Sequence, residues 1–184
     1  IEIMTALALF NYVFLGAEYL FDNMMAFQTD SGGVVLAQSY VLGSSTVGFL
    51  LFGVLDGKMR ERAKKAGSAG AGVLAAVCLW GIQVHQSYGS TLAAGLILYV
   101  LLGIAGSLVH YRAACRYGME EYLAETVGVS YAIGLFLQFF ENNLIHNAAV
   151  EAVILTVAFW ALLFLVEKRK VAGSLMEWNL YESD

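Results

Sequence analysis

Charged residues, cysteine and proline are scarce in this chain. Asp, Glu, Lys and Arg make up 14% of its 184 residues, against about 25% in a typical soluble domain, and 59% of the residues are hydrophobic. This composition indicates a membrane protein. The two cysteines, Cys78 and Cys115, lie in an apolar run and a basic stretch, so they support neither a disulfide framework nor a metal site. The net charge of −5 argues against a nucleic-acid-binding surface.

Six apolar runs are long enough to cross a membrane as helices. A hydrocarbon core about 30 Å thick requires about 20 mostly apolar residues in one helix. Strands of a membrane barrel instead alternate apolar and polar residues over about 10 positions, whereas these runs are continuous. We therefore predict an all-α transmembrane domain over residues 1–170 and a cytoplasmic tail or linker over 171–184. The predicted spans are 5–26, 33–55, 69–87, 91–111, 126–142 and 146–166.

The basic residues indicate how the spans are oriented. All ten Lys and Arg residues lie at 58–65, 112–116 and 168–170, in the loops or tail after the second, fourth and sixth spans. Because basic residues accumulate on the cytoplasmic side of a membrane, both termini are predicted to be cytoplasmic. Such helices are expected to contact the lipid bilayer directly. We expect a multi-pass protein of a bacterial cytoplasmic membrane.

Polar side chains at helical spacing mark candidate binding residues in four spans. Asn11, Glu18 and Asp22 share one face of the first span, because they are seven and four residues apart. Ionisable residues within a span usually face a bundle interior or a wet cavity, and contact with outer water is the alternative for Asp22. The amide-rich stretch around Glu141 is either a ligand clamp or a capped helix end. The candidate substrate- or ion-binding residues are Asn11, Glu18, Asp22, Gln38, Tyr40, Tyr99, Ser107, Gln138, Glu141 and Asn142.

The distribution of these polar residues repeats after three spans. The first and second spans carry polar residues and the third is apolar through its middle, and the same order holds for the fourth, fifth and sixth. Three is an odd number, so the two triplets cross the membrane in opposite directions, as inverted repeats do in transporters. We predict that spans one, two, four and five line a cavity and that spans three and six support them.

The loop after the second span carries the sequence Gly53-Val-Leu-Asp-Gly-Lys-Met-Arg-Glu-Arg62. Together with the six-span layout, this loop resembles one six-helix half of a major facilitator superfamily transporter. That family has Gly-x-x-x-Asp-Arg/Lys-x-Gly-Arg-Arg/Lys at this place. The chain departs from the pattern, because the first glycine and the aspartate are one residue too close, and Gly57 and Met59 replace a basic residue and the second glycine. It also has no proline and therefore lacks the family's antiporter motif.

The resemblance implies a charge-linked cytoplasmic gate formed by Asp56, Lys58, Arg60 and Arg62. A basic loop that only sets the orientation of the chain is the alternative. The implied function is movement of a small-molecule solute by alternating access, and such a half requires a second six-helix half or a homodimer. Two other functions stay open: a non-transporting sensor or ligand-binding domain of a signalling protein, and a six-helix substrate-binding subunit of a multi-subunit importer.

Enzymatic activity is not expected. The sequence shows no nucleophile–base pair, no metal-ligand cluster and no phosphate-cradling loop. We therefore predict no catalytic residues, no metal and no cofactor.

Overall fold

Six long α-helices form the regular structure of the described part of the chain. A computed structural model describes residues 2–56, 61–84, 87–117 and 122–167, with the backbone alone described at 56, 61, 62, 116 and 117. Each helix is long and apolar enough to cross a membrane, which confirms the prediction of an all-α fold with six helices of membrane-spanning length. The helices are α1 (Glu2–Ala26), α2 (Ser31–Asp56), α3 (Glu61–Val84), α4 (Tyr88–Tyr117), α5 (Tyr122–Leu144) and α6 (Ala148–Glu167).

Two helices continue well beyond their predicted spans at the basic end of the bundle. α3 begins at Glu61 rather than at 69, so Lys64 and Lys65 lie on the helix and not in a loop. α4 continues past 111 to Tyr117, which places Arg112 on a helix as well. The reason is that hydropathy marks only the part of a helix inside the hydrocarbon core, whereas the hydrogen-bonded helix continues through the headgroup layer.

Side-chain caps begin the three even-numbered helices. Asp30 Oδ1 accepts a hydrogen bond of 2.8 Å from the Gly33 amide at the start of α2. Ser87 Oγ accepts one of 3.3 Å from the Ser90 amide before α4, and Asn147 Oδ1 accepts one of 2.9 Å from the Ala149 amide before α6. Such caps satisfy amide groups that have no partner within the first turn. Each cap follows a connection of only a few residues, so the pairs α1–α2, α3–α4 and α5–α6 run antiparallel.

α1 and α4 lie at the centre of the bundle. α2 packs mainly on α4, and α5 packs mainly on α1. α3 and α6 pack on each other, with α3 also against α4 and α6 also against α1. α2 and α5 therefore present broad apolar surfaces, with exposed side chains such as Leu50 and Phe136, as expected for helices that face lipid.

The crossing of α2 and α4 depends on Gly48. A Cβ atom at this position would lie 3.0 Å from the Gly103 Cα atom and 3.0 Å from the Ile104 amide nitrogen, and would clash with the Val100 carbonyl oxygen. The two backbones are thus close enough that only glycine fits between them. Small residues permit this kind of approach in membrane bundles, where association depends on van der Waals contact.

The crossing of α5 and α1 depends in the same way on Gly134. A Cβ atom at Gly134 would lie 3.0 Å from the Ala8 carbonyl oxygen, 2.7 Å from the Asn11 Cβ atom and 3.1 Å from the Tyr12 amide nitrogen. In each crossing the glycine lies against three points of the facing helix. These are the carbonyl oxygen of one residue, the residue three positions further along, and the amide nitrogen of the residue after that. The two crossings therefore bring the glycine against similar parts of the facing helix, and the crossing at Gly48 is the tighter of the two.

Candidate functional site

A first polar group lies between α1, α2 and α4 and consists of Glu18, Asp22, Gln38 and Tyr99. Gln38 Nε2 donates a hydrogen bond of 2.6 Å to Glu18 Oε1, which joins α2 to α1. The Tyr99 ring is fully buried and lies within electrostatic range of both carboxyl groups. Its hydroxyl donates to the Phe14 carbonyl oxygen over 3.4 Å. We call these four residues the α1–α2–α4 polar group.

The spacing along α1 explains how this group assembles. Phe14, Glu18 and Asp22 are four residues apart, so they follow one another on the same helix face. The Phe14 and Tyr99 rings meet edge to face with centroids 5.2 Å apart. Asp22 Oδ1 is buried and has no hydrogen-bond partner. A carboxyl oxygen in this state has an unused capacity to accept a hydrogen bond from a ligand or to bind a cation.

A second polar group lies between α1, α5 and α6 and consists of Tyr12, Glu141 and Glu151. These side chains are 7%, 6% and 6% exposed. Glu141 Oε2 lies 3.6 Å from the position that a Cβ atom would take at Gly16, which places its carboxyl group against α1. Glu141 and Glu151 are electrostatic neighbours. We call these three residues the buried carboxyl cluster.

The carboxyl oxygens of this cluster have few hydrogen-bond donors. Both carboxyl oxygens of Glu141 and Oε1 of Glu151 are buried, and none of them completes a hydrogen bond of ordinary geometry. The Tyr12 hydroxyl lies beside the Glu141 carboxyl group and is the donor available to it. An unpaired polar group of this kind is costly in a medium that excludes water.

The cluster lies towards one end of the bundle. Glu141 is three residues before the end of α5 at Leu144, and Glu151 is in the first turn of α6. The basic residues whose side chains the structure describes are Lys64, Lys65 and Arg112. They lie near the start of α3 and the end of α4, at the opposite end of the bundle, so they do not neutralise the cluster.

The other candidate residues occupy varied places. Gln138 Nε2 donates to the Leu15 carbonyl oxygen over 2.9 Å, which binds α5 to α1 close to the cluster. The Asn142 side chain is half-buried, with a buried Oδ1 that has no partner. Asn11 and Ser107 are half-buried. Tyr40 is 53% exposed on α2 and lies apart from the α1–α2–α4 polar group.

The structure gives no side-chain geometry for the expected gate. Lys58 and Arg60 lie outside the described residues, and Asp56 and Arg62 are described by their backbone alone.

Two members of the buried carboxyl cluster were missed by sequence reasoning. Glu151 was treated as part of a supporting span, yet α6 places it beside Glu141. The signal for this pair was the short connection between α5 and α6. A tight turn between two helices brings together carboxyl groups near the end of the first helix and the start of the second. Tyr12 follows the polar residue Asn11 in a span with several polar positions. The helical spacing that relates Asn11, Glu18 and Asp22 does not include it.

A shallow cavity of about 320 Å³ lies between α3 and α4, lined by Trp80, Gly81, Val84 and Ser90. It is distinct from the two polar groups and does not lie among α1, α2, α4 and α5, where a cavity was predicted. Within the described ranges, no three or more His, Cys, Asp or Glu residues are arranged to hold a metal ion.

Comparison with protein-family models, with curated proteins and with solved structures finds no match to the chain. The two polar groups and the helix arrangement are therefore the features that bear on function. Carboxyl groups inside a membrane domain can take up and release a proton, bind a cation or accept hydrogen bonds from a solute. They are typical of ion and substrate pathways.

Proposed function

We propose that the chain is a membrane transport protein of the major facilitator type. In this proposal it is a six-helix unit of two inverted three-helix repeats, which moves a small solute by alternating access. The observation that carries the proposal is the pattern of helix contacts. This pattern stays the same when α1, α2 and α3 are exchanged for α4, α5 and α6. Inverted repeats of this kind place the substrate site at the repeat interface, around which one part of the protein rocks against the other.

The contacts correspond pair by pair. The packing of α2 on α4 becomes the packing of α5 on α1, and the packing of α3 on α4 becomes that of α6 on α1. The contacts of α1 with α4 and of α3 with α6 map onto themselves. Because each triplet contains three spans, a rotation that exchanges the triplets also reverses their direction through the membrane.

The two helix crossings add sequence support. α2 carries Ser44 four residues before Gly48, and α5 carries Ser130 four residues before Gly134. Each serine hydroxyl binds a carbonyl oxygen of its own helix, that of Val41 at 2.7 Å in α2 and that of Thr126 at 2.6 Å in α5. The same serine–glycine spacing thus lies at both crossings.

α1 and α4 also share a local sequence pattern. Six of the eleven residues over 6–16 are identical to the residues 87 positions later. Among them, Tyr12 corresponds to Tyr99 and Gly16 to Gly103. This register differs by five residues from that of the two crossings, where Asn11 takes the place of Gly103. Each of these tyrosines is buried next to carboxyl groups. We interpret the two tyrosines as counterparts, whereas the carboxyl groups near them lie on helices that the exchange does not relate: α1 for Glu18 and Asp22, and α5 and α6 for Glu141 and Glu151. The identical residues are Ala6, Leu9, Tyr12, Val13, Leu15 and Gly16 in α1.

The α1–α2–α4 polar group is the proposed solute site. Glu18, Asp22 and Gln38 are only half-buried, and polar side chains at membrane depth rarely face lipid. A second six-helix unit, either another half or a second copy, would cover this surface. The Glu18 carboxyl group and the Gln38 amide would then bind a solute that offers both donors and acceptors.

Flux in liposomes tests the proposal. The purified protein is reconstituted, and uptake of a panel of labelled amino acids, sugars and organic cations is measured. Wild-type protein is expected to move at least one of these solutes saturably. Glu18→Gln is expected to reduce that flux at least tenfold, because it removes the charge while keeping the side-chain volume. Glu125→Gln is the matched control, since Glu125 is exposed in the first turn of α5.

The outcomes separate the alternatives. Full flux in Glu18→Gln would remove Glu18 from the mechanism. Saturable binding of a panel solute without flux would favour the sensor, and co-purification with an ATPase module would favour the importer subunit. Neither result is expected from a carrier.

A further inference from the structure

We infer that Tyr12, Glu141 and Glu151 form a proton-binding site, in which one of the two buried carboxyl groups holds a proton taken from bulk water and returned to it. The three side chains come from α1, α5 and α6, so proton binding there acts on the packing of α5 and α6 against α1. The inference deepens the proposed function, because it names the ion that would be coupled to solute movement. That coupling rests on the proposed function, whereas proton binding itself does not.

A count of hydrogen-bond donors supports the inference. An ionised carboxylate only accepts hydrogen bonds, whereas a protonated carboxyl group also supplies one O–H donor. Three carboxyl oxygens of Glu141 and Glu151 are buried without a hydrogen bond of ordinary geometry, and both residues are more than nine-tenths buried. The Tyr12 hydroxyl can donate to only one oxygen at a time. One added proton removes one of two like charges that lie within electrostatic range of each other, where their repulsion is strong because water is excluded.

The packing around the cluster favours a proton over a metal cation. The position of a Cβ atom at Gly16 lies only 2.6 Å from Leu155 Cδ2, so an apolar side chain already fills the space between α1 and α6. A hydrated cation needs several oxygen ligands and room for them; Ca²⁺, for example, takes 6–8. The cluster offers two carboxyl groups and one phenol, and backbone carbonyls within helices are already hydrogen-bonded.

The charged neighbours do not change this conclusion. On α1, Glu18 and Asp22 follow Tyr12 towards the same end of the bundle as the cluster, and both are acidic. α4 contributes Tyr99 next to those two carboxyl groups, and α3, which packs on α6, contributes the buried Cys78. His146, just after α5, is exposed. No basic side chain in the described part of the chain is thus placed to pair with Glu141 or Glu151.

Infrared difference spectroscopy of the full chain in lipid tests proton binding directly. Protonated carboxyl groups have a carbonyl-stretch band that ionised carboxylates lack. Wild-type protein is expected to keep such a band at neutral pH and to lose it as the pH rises. Glu141→Gln and Glu151→Gln are each expected to weaken it and to change the pH at which it disappears, because each variant removes one of the two buried, electrostatically coupled carboxyl groups. An unchanged band in both variants would overturn the inference. Glu125→Gln and Glu167→Gln change exposed residues of the same two helices and should leave the band intact.

Thermal unfolding in detergent gives a second readout that does not depend on flux. If the folded state holds a proton that the unfolded chain releases, stability falls as pH rises. Glu141→Gln mimics the protonated group, so its melting temperature is expected to lose most of the wild-type decline at alkaline pH. The Glu125→Gln control should decline as the wild type does.

Two further results would overturn the inference. One is the absence of a protonated-carboxyl band in wild-type protein across the whole pH range. The other is a rise of the wild-type melting temperature on addition of Na⁺, K⁺ or Ca²⁺ that disappears in Glu141→Gln, which would identify a metal cation as the occupant. A normal proton band with no solute flux would support the site while contradicting the proposed transport function.

Discussion

Tyr12 of α1 and Tyr99 of α4 are both buried, and each lies within electrostatic range of two carboxyl groups. Those groups are Glu141 and Glu151 for Tyr12, and Glu18 and Asp22 for Tyr99. The two tyrosines also correspond within the local sequence pattern shared by α1 and α4. The proposed solute site and the proposed proton site thus each include one of two tyrosines at matching positions of that pattern.

Removal of either hydroxyl is expected to affect function more than stability. Tyr12→Phe and Tyr99→Phe keep the packed ring, and a hydrogen bond within a membrane bundle contributes only about 0.6 kcal/mol on average. Thermal melting in detergent should therefore change little, whereas solute flux should fall severalfold in both variants. Tyr40→Phe, at an exposed tyrosine of α2, is the control and should leave both unchanged. A large loss of stability in Tyr99→Phe without loss of flux would contradict the assignment.

The α2–α4 crossing should not tolerate a side chain at Gly48. Gly48→Ala places a methyl group against backbone atoms of α4, which cannot rotate away as a side chain can. We expect a destabilisation of about 1–3 kcal/mol, measured as a lower melting temperature in detergent. Gly103→Leu, on the facing helix, should be at least as severe.

Gly43→Ala is the matched control, because a Cβ atom at Gly43 of the same helix would have nothing within 4 Å. Equal melting temperatures for Gly48→Ala and Gly43→Ala would show that the helices do not cross at Gly48.

Gly16 and Gly134 should respond differently to alanine, although both lie at helix contacts of α1. At Gly134 the new methyl group meets the Ala8 carbonyl oxygen and the Asn11 Cβ atom, so Gly134→Ala is expected to cost about 1–3 kcal/mol. At Gly16 the nearest atom is the end of the Leu155 side chain, which can adopt another rotamer. Gly16→Ala is expected to cost less than about 1 kcal/mol. The reverse order in melting experiments would contradict the crossing geometry.

The orientation of the bundle can be tested with its two cysteines. Cys115 is exposed near the end of α4, and Cys78 is buried in α3. If the basic end is cytoplasmic, a membrane-impermeant maleimide should label Cys115 in inverted vesicles but not in intact cells. Cys115→Ser should abolish that labelling, since Cys78 is inaccessible. Labelling of Cys115 in intact cells would reverse the predicted topology.

Much of the fold follows from local patterns in the sequence. Helix number and type could be predicted because hydrocarbon thickness sets a minimum length for each apolar run. The predicted helix ends were less accurate, as the start of α3 shows, because the part of a helix in the headgroup layer needs no apolar residues. Of the site residues, Glu18 and Asp22 were identifiable because charge is rare within a span.

The contacts between those residues could not be derived in the same way. The Gln38–Glu18 hydrogen bond depends on the rotation of α2 about its axis, and a span apolar on most sides does not specify that rotation. Glu151 was overlooked because an acidic residue in the first turn of a helix is common and is usually exposed to solvent there.

The amino-acid sequence by itself indicated a membrane environment for this protein, the number of its helices and the end of the bundle that carries its basic residues. Each of these follows from composition and length along a single segment. Only the tertiary structure decided that Glu141 lies beside Tyr12 and within electrostatic range of Glu151, and that α2 crosses α4 and α5 crosses α1 at glycines. Those contacts join residues that are far apart in the chain. They depend on which face of each helix points inward, and close approach of two backbones is possible only at the faces that carry glycine.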